Sequence, residues 1–467
     1  MNTDTTTIQN SHAIVIGGSL AGLLTARVLS DHFDQVTILE RDAVHDVPEA
    51  RRGQPHTRHT HALLANGQLL LEQFFPGLVA EAVAGGAILG DMAERMLWHT
   101  FGGYRQRFAS GNLGLLASRP YLEWQIRRRV LQIPNLRLRD EVAVEGPLAT
   151  PDRSRVHGVE IVRRGENQHR EMLHADLVVD ASGRGTQSPR WLEAMGYGRP
   201  AESVVKVDMG YATRIYRQIP GAHAMVNAIM SFGTPPRDKR AGFAFKIEGD
   251  RWTVTIGGHH GAHAPTDEAG FLAFAASLPS PEICDLVSRA EPLTDIIPHK
   301  LPSSLRRHYE KMSRFPEGYL VLGDAIASFN PIYGQGMTSS AMQAQALGRL
   351  LDQRKGRLAG LAPAFFRQAA KVVDIPWQLT VGEDFRFPET TGPKPPGTDF
   401  INAYVAQVHR ATHTDTVVYG AFLKVMNLVA PPASLFAPGI LRRVLRAAWA
   451  KPEAAPTLHL QSAAGSN

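Results

Sequence analysis

Residues 13–22 read Ala13-Ile14-Val15-Ile16-Gly17-Gly18-Ser19-Leu20-Ala21-Gly22. The first four form a continuous apolar run, the pattern of a parallel strand buried on both faces. Helical spacing follows at Leu23, Leu24, Ala26, Val28 and Leu29, and a second apolar run, Val36 to Leu39, ends at Glu40. This is a βαβ unit in the order that a dinucleotide site requires. Gly17 makes the tight turn, and Gly22 lets the helix pack close to the strand. The helix N-terminus turns its free N–H groups and positive dipole end toward a pyrophosphate. Glu40, 18 residues after Gly22, is placed to accept hydrogen bonds from an adenosine ribose. The middle glycine of the G-x-G-x-x-G pattern is Ser19, whose Cβ crowds the pyrophosphate slightly.

Two distant segments favour FAD over NAD. In Ala175 to Gly185 a buried strand ends at Asp180 and opens into a turn of small residues through Gly183. In Gly318 to Ala325 a strand again ends in an acid, Asp324. Pro331 and the turn Gly334-Gln335-Gly336-Met337 then feed a helix expected over Thr338 to Leu351. Asp324 can accept from a ribityl hydroxyl, and the turn offers backbone N–H groups to the pyrimidine end of a reduced flavin. Two glycine-rich turns far apart in the chain, each after a buried strand, suit a long cofactor gripped at both ends.

Composition narrows the remaining classes. Over 467 residues, 43% are hydrophobic and 20% charged, which excludes a disordered chain. A formal net charge of +6 at this length does not indicate a nucleic-acid binder. The clusters Arg127-Arg128-Arg129 and Arg442-Arg443 read as solvated helix faces. The single cysteine, Cys284, excludes an intramolecular disulfide and a Cys-rich metal site and reads as a small buried hydrophobe. A polar start (Asn2 to Gln9), with no spanning apolar run, leads us to expect a soluble, cytoplasmic protein.

The segments Gly17–Gly22, Asp176–Gly183 and Gly323–Gly336 resemble the three fingerprints of the FAD-dependent aromatic-hydroxylase superfamily of monooxygenases. The stretches Arg52 to Leu64, Val207 to Arg214 and Phe329 to Met337 resemble more narrowly the flavin epoxidases of polyether polyketide pathways. The likeness runs from about residue 12 to about residue 385. It implies an α/β fold: a doubly wound, Rossmann-like FAD-binding domain, discontinuous in sequence, with a β-sheet substrate domain and a helical C-terminal region. The expected pieces are FAD-binding at 1–80, 116–200 and 301–352, a substrate-domain insertion at 81–115, a β-rich substrate domain at 201–300, and the helical region at 353–467. It further implies that Arg119 reaches the FAD phosphates. The expected cofactor contacts are Gly17, Ser19, Ala21, Gly22, Glu40, Arg41, Arg58, Arg119, Asp180, Gly183, Asp324, Gly334, Gly336 and Met337.

The implied chemistry is insertion of one oxygen atom from O2 through a C4a-hydroperoxyflavin. The expected substrate is an alkene of a hydrophobic secondary metabolite, a polyketide or terpenoid, which would be epoxidised. Such chemistry is borne by the flavin, so no side chain is a certain catalyst; Arg52, His59 and Pro331 are candidate flavin neighbours. Phenol hydroxylation is assisted by an acceptor near the phenol oxygen, and no candidate stands out in the sequence, which tilts the reading toward an olefin. A hydroxylase of a phenolic or aromatic substrate is the alternative, and a non-catalytic lipid carrier on a dinucleotide fold is the alternative from another class. The superfamily's usual Asp-Gly pair is Asp180-Ala181 here, so NAD(P)H supplies electrons either directly or through a separate flavin reductase. There is no Trp-x-Trp-x-Ile-Pro run of the halogenase kind.

The segment Arg51 to His61 is basic and is placed to lie along the cofactor, where cationic groups would favour an anionic reduced flavin. No metal site is expected from its histidines or from Gly257 to His263. From Val204 to Ile256 the pattern is strand-like, with a hairpin turn at Glu248-Gly249-Asp250-Arg251. Tyr211, Phe245 and Phe329 are the expected pocket liners. Residues 387–399 read as a connector. Ile401–Leu428 reads as helical and apolar on one face, and Leu435–Ala450 as a basic amphipathic helix packed on the body rather than on a membrane.

Overall fold

The computed structural model describes residues 10–163 and 169–449. Its central element is a five-stranded parallel sheet with the order Tyr319–Val321, Leu177–Asp180, His12–Ile16, Gln35–Leu39, Leu136–Arg139. The strand read from the opening motif lies in the middle, paired in parallel with Gln35–Leu39 on one side and Leu177–Asp180 on the other. Ala13, Ile14 and Val15 are fully buried, because helices cover one face, the antiparallel strands Val142–Ala149 and Val156–Arg163 pack against the sheet as well, and no side is left for polar residues. Helix Leu20–Leu29 packs between this sheet and the long helix Gly336–Arg354. The sheet thus draws its strands from three separate stretches of chain, as expected for a discontinuous doubly wound domain. A three-stranded antiparallel sheet (Val142–Ala149, Val156–Arg163, Arg170–His174) and a two-stranded ribbon (Ile88–Asp91, Leu113–Leu116) flank it.

The second large element is an eight-stranded sheet. Its order is Ala327–Ser328, Ile297–His308, Ala201–Arg217, Arg251–Gly258, Arg240–Ile247, Ala228–Phe232, Met96–Thr100, Gly103–Tyr104. The expected hairpin is present: Arg240–Ile247 pairs antiparallel with Arg251–Gly258, with Gly249 and Asp250 both at positive φ (72° and 52°), the conformation of a primed hairpin turn. One face of this sheet rests on a core with helices Glu268–Ala276 and Glu282–Arg289. Its other face turns toward the parallel sheet.

Several expectations need correction. Helix Leu361–Asp384 belongs to the main core through Phe365, Phe366, Val373 and Val381, whereas the later helices pack on a cluster of their own that includes Val408, Tyr419 and Val444. Ile401–Leu428 is two helices, Thr398–Ala411 and Thr416–Met426. The break falls where Asp415 accepts from the N–H groups of Val417 and Val418 and caps the second helix. The final helix starts at Pro438 and packs through Val444; Ala450 lies outside the described residues. Cys284 is only half-buried. Arg127 is not solvated: it is 5% exposed and donates to the carbonyls of His45 and Val47. Among the described residues no helix is long and apolar enough to cross a membrane.

Candidate functional site

A single cavity of about 900 Å3 runs between the two sheets. Its lining includes Gly17, Ser19, Ala21, Glu40, Arg41 and Arg119 from the early motif, and Asp324, Pro331, Gly334, Gly336 and Met337 from the late one. Gly183, Tyr211, Phe245 and Phe329 line it as well. Two motifs some three hundred residues apart in the sequence therefore open on one continuous space.

At the early end, Gly17 has φ +104°, and a Cβ on Gly22 would stand 1.8 Å from the Gly17 carbonyl oxygen. No other residue permits that approach of helix to turn. Ser19 does not intrude into the cavity in the way a crowding side chain would. Its hydroxyl donates to Glu123 Oε2 at 2.8 Å and accepts from Arg119 Nη2 at 3.1 Å. Glu123 also holds Arg51 at 2.5 Å and Arg119 at 2.9 Å, and Arg51 reaches Glu40 at 2.8 Å and the Gly18 carbonyl at 3.0 Å. All four charged side chains are at most 8% exposed. Burial alone would raise the Glu123 carboxyl, but Arg119 and Arg51 outweigh it and hold the group below its usual range. Glu40 already accepts from the N–H groups of Gly18 and Asp42, so it braces the turn while lining the cavity.

At the late end, Asp324 lies at the cavity wall. Burial pushes its carboxyl up to about 6, against the opposing pull of Arg184 and Arg119. Helix Gly336–Arg354 begins beside it, and its first N–H groups have no partner within the helix. Gln335 is 1% exposed and its amide nitrogen has no partner among the described residues. Gly336 is open: the nearest atom to an added Cβ would be Asp324 Oδ1 at 3.9 Å.

The segment after the first βαβ unit spans the distance between these ends. Arg51 grips Gly18, while Ala62 comes within 3.4 Å of the Cβ position at Gly334. Thr60 fixes the middle to the eight-stranded sheet through Thr255 at 2.7 Å. Within it the expected cationic lining is not found. Arg52 and Arg58 are exposed and stand outside the cavity, because burying an unpaired guanidinium is costly. The groups that face inward are His56 and His61. Desolvation, and then Arg119 together with a neighbouring histidine in each case, lower them to about 4 and about 3, so both are neutral imidazoles near pH 7. His59 lies behind the wall, bonded through Nδ1 to Thr213 at 2.7 Å and packed edge-on against Tyr211. Asp180 does not reach the cavity: it is fully buried and accepts from Ser182, Thr186 and Ser188, so it ties the second turn together from below.

Much of the wall comes from residues that sequence reasoning passed over. Trp98 and Phe101 come from the edge strand and its turn, Phe422 and Leu435 from the C-terminal helices, and the polar pair Glu383 and His409 from two further helices. No motif marks them, and the resemblance ends near residue 385. Among the described residues no cluster of three or more His, Cys, Asp or Glu side chains could hold a metal ion.

No protein-family model matches the chain. Over 431 residues it is 35% identical to protein Rv3254 of Mycobacterium tuberculosis, with 90% of each chain covered. The chain belongs to the Rv3254 family. Solved structures show the fold of the chain. PqsL of Pseudomonas aeruginosa, described as a probable FAD-dependent monooxygenase, superposes with a TM-score of 0.58 at 16% identity, covering 81% of this chain and 99% of that one. The p-nitrophenol 4-monooxygenase PnpA of Pseudomonas putida gives 0.62 at 16% identity, covering 89% and 98%. The Rv3254-family chain thus has the fold of FAD-dependent monooxygenases, with an α/β parallel-sheet domain beside a broad antiparallel sheet.

Proposed function

We propose that the chain is an FAD-dependent monooxygenase acting on an apolar, electron-rich small molecule. The observation that carries this reading is the single cavity shared by the early and late glycine turns. Its two ends fit FAD. The open space over Gly336, the unpartnered amide of Gln335 and the free N–H groups of its helix form an anion- and carbonyl-binding cradle. Gly17, Ser19, Ala21 and Arg119 would hold the pyrophosphate, and Glu40 and Arg41 the adenosine. Asp324 would hold the ribityl chain, and Gly334 to Met337 the flavin ring. When bound and reduced, the cofactor supplies an activated oxygen atom derived from O2.

The chain's own task is to orient the substrate and keep water away. Tyr211, Phe245 and Phe329 are each at most 7% exposed and give the cavity apolar walls. Epoxidation of an alkene in a polyketide or terpenoid needs no more than this. A hydroxylase reading gains from a different observation. His56 and His61 are neutral cavity-facing imidazoles, able to accept a hydrogen bond from a phenol, and the fold neighbour PnpA is named for a phenol. Electrons would come from NAD(P)H, directly or through a separate reductase.

The test has two parts. Purified protein incubated with FAD and desalted should keep a yellow flavin spectrum. Reduced, exposed to O2 and offered an alkene and a phenol of similar shape, it should oxygenate one of them. A chain that retains no flavin favours the carrier reading, and the proposal fails.

A further inference from the structure

The far wall of the cavity holds a polar pair that the flavin chemistry does not use. Arg105 is 3% exposed and lies over the rings of Trp98 and Phe422, with its guanidinium carbon 4.0 and 4.2 Å from their centroids. It forms no ion pair among the described residues. Its Nη1 donates to Thr412 Oγ1 at 2.6 Å, and its Nη2 donates to His409 Nδ1 at 2.8 Å. A guanidinium has only donors. His409 Nδ1 must therefore accept, which fixes the neutral tautomer with the proton on Nε2. Phe101 stacks on the same ring at 4.5 Å and stops it from turning.

The Nε2–H faces Glu383 Oε1 at 3.9 Å, beyond hydrogen-bond reach. Glu383 is held in turn by Arg386, which donates through Nε and Nη2 at 2.7 and 2.9 Å. Both His409 and Glu383 line the cavity. The pair thus presents a fixed donor and a fixed ionised acceptor, separated by a gap that one small group can bridge. The next residue, Asp384, accepts from Asn330 at 2.8 Å and Tyr333 at 3.2 Å, so the same helix end that presents Glu383 grips the loop leading into the late glycine turn.

We propose that Glu383 and His409 anchor a hydroxyl group of the substrate, which narrows the substrate to an apolar molecule bearing an O–H. This rests on the reading of the cavity as the substrate chamber. A hydroxyl accepts from His409 Nε2 and donates to Glu383 at once. An ether or ketone can only accept, so it gains nothing from the carboxylate, whose partner stays Arg386 alone, and a carboxylate is repelled by Glu383.

Two probes test it: para-butylphenol and its methyl ether, para-butylanisole. Binding is measured by equilibrium dialysis on the full chain, with and without FAD. The wild type should bind the phenol about tenfold or more tightly than the ether, because a hydrogen bond to a charged acceptor outweighs a neutral one. Glu383→Gln keeps the shape and still accepts from Arg386. His409→Gln keeps an oxygen for Arg105. In either folded variant the preference should fall to within about threefold. Equal binding of the two probes to the wild type, absence of saturable phenol binding, or an unchanged preference in a folded variant overturns the proposal. Failure to take up FAD is a separate result: it removes the flavin reading, while the phenol preference of the FAD-free chain still reports on the anchor.

Discussion

Replacing Glu123 by Gln tests the charge arrangement beneath the early turn. In the wild type two guanidiniums, Arg51 and Arg119, face two carboxylates, Glu40 and Glu123, all at most 8% exposed. The variant leaves one positive charge without its partner. Removing one member of a buried ion pair costs about 3–5 kcal/mol. At roughly 2.1 cal/mol/K per residue, 467 residues give an unfolding entropy near 1 kcal/mol/K. For cooperative unfolding the cofactor-free variant should then melt about 3–5 °C below the wild type. The sign with pH follows from the depressed Glu123 carboxyl. Its contribution is present in full above the ordinary carboxylate range and is lost as the pH falls through its folded value, so the gap between wild type and variant should close in acid.

The cofactor should reverse part of this loss. The uncompensated Arg119 lines the cavity at the end assigned to a pyrophosphate, and a bound dianion supplies the missing negative charge. Added FAD should therefore raise the melting temperature of Glu123→Gln by more than it raises that of the wild type. Differential scanning fluorimetry with and without FAD, from pH 3 to pH 8, reads both the cofactor effect and the closing of the gap in acid. A cofactor-free variant that melts within about a degree of the wild type would show that the network carries no net stability. A smaller FAD shift in the variant would refute the placement of the pyrophosphate at Arg119.

Three further tests separate structure from binding. Gly22→Ala places a Cβ 1.8 Å from a backbone oxygen, so it should lower stability by several kcal/mol, on the order seen for overpacked cores or more, and abolish FAD uptake; normal melting would contradict the close helix approach. Gly336→Ala meets nothing nearer than 3.9 Å, so its cofactor-free melting should match the wild type while FAD titrations show weaker binding, and undiminished affinity would move the flavin away from that turn. Asp324 is the pH probe: its folded value of about 6 stands above the ordinary 3.8, so the cofactor-free chain loses this group's contribution as the pH rises through that window. A ribityl hydroxyl donating to the ionised carboxylate favours FAD binding above it, so fluorescence-quenching titrations should show affinity falling below about pH 6 in the wild type and no such fall in Asp324→Asn.

The early βαβ unit was legible because its signal is local. An apolar run, a turn demanding glycine and a helix with small residues lie within a few positions of one another, and the parallel sheet places them as read. The late turn was legible for the same reason. Pocket liners inside recognisable strands, such as Tyr211 and Phe245, could be inferred from strand patterning together with the resemblance. What the sequence concealed depends on pairing over long separations. Nothing near Glu123 announces that it will meet Ser19, Arg51 and Arg119. A serine at the glycine position reads as a defect until its hydroxyl is seen to join that network. The basic segment misled in the opposite direction: its arginines and histidines are adjacent in sequence, but a 3-10 turn at Pro55–Arg58 sends them to different sides. Arg52 and Arg58 stand outside the cavity, and His56 and His61 line it.

That sorting bears on the choice of substrate. An olefin is the expected substrate because no acceptor for a phenolic proton stands out in the sequence. The folded cavity contains neutral imidazoles along one wall and an ionised carboxylate, Glu383, on another. Each is contributed by a segment whose chemistry is hidden until the chain closes around the cavity. An alkene makes no use of these groups, and a purely apolar ligand leaves the imidazole nitrogens that face it without a partner at a cost of about 1–3 kcal/mol each, whereas Glu383 keeps Arg386. A substrate with a hydroxyl near its reactive bond avoids that cost, so the cavity's polar positions favour hydroxyl-bearing molecules even where the oxygen is delivered to a double bond.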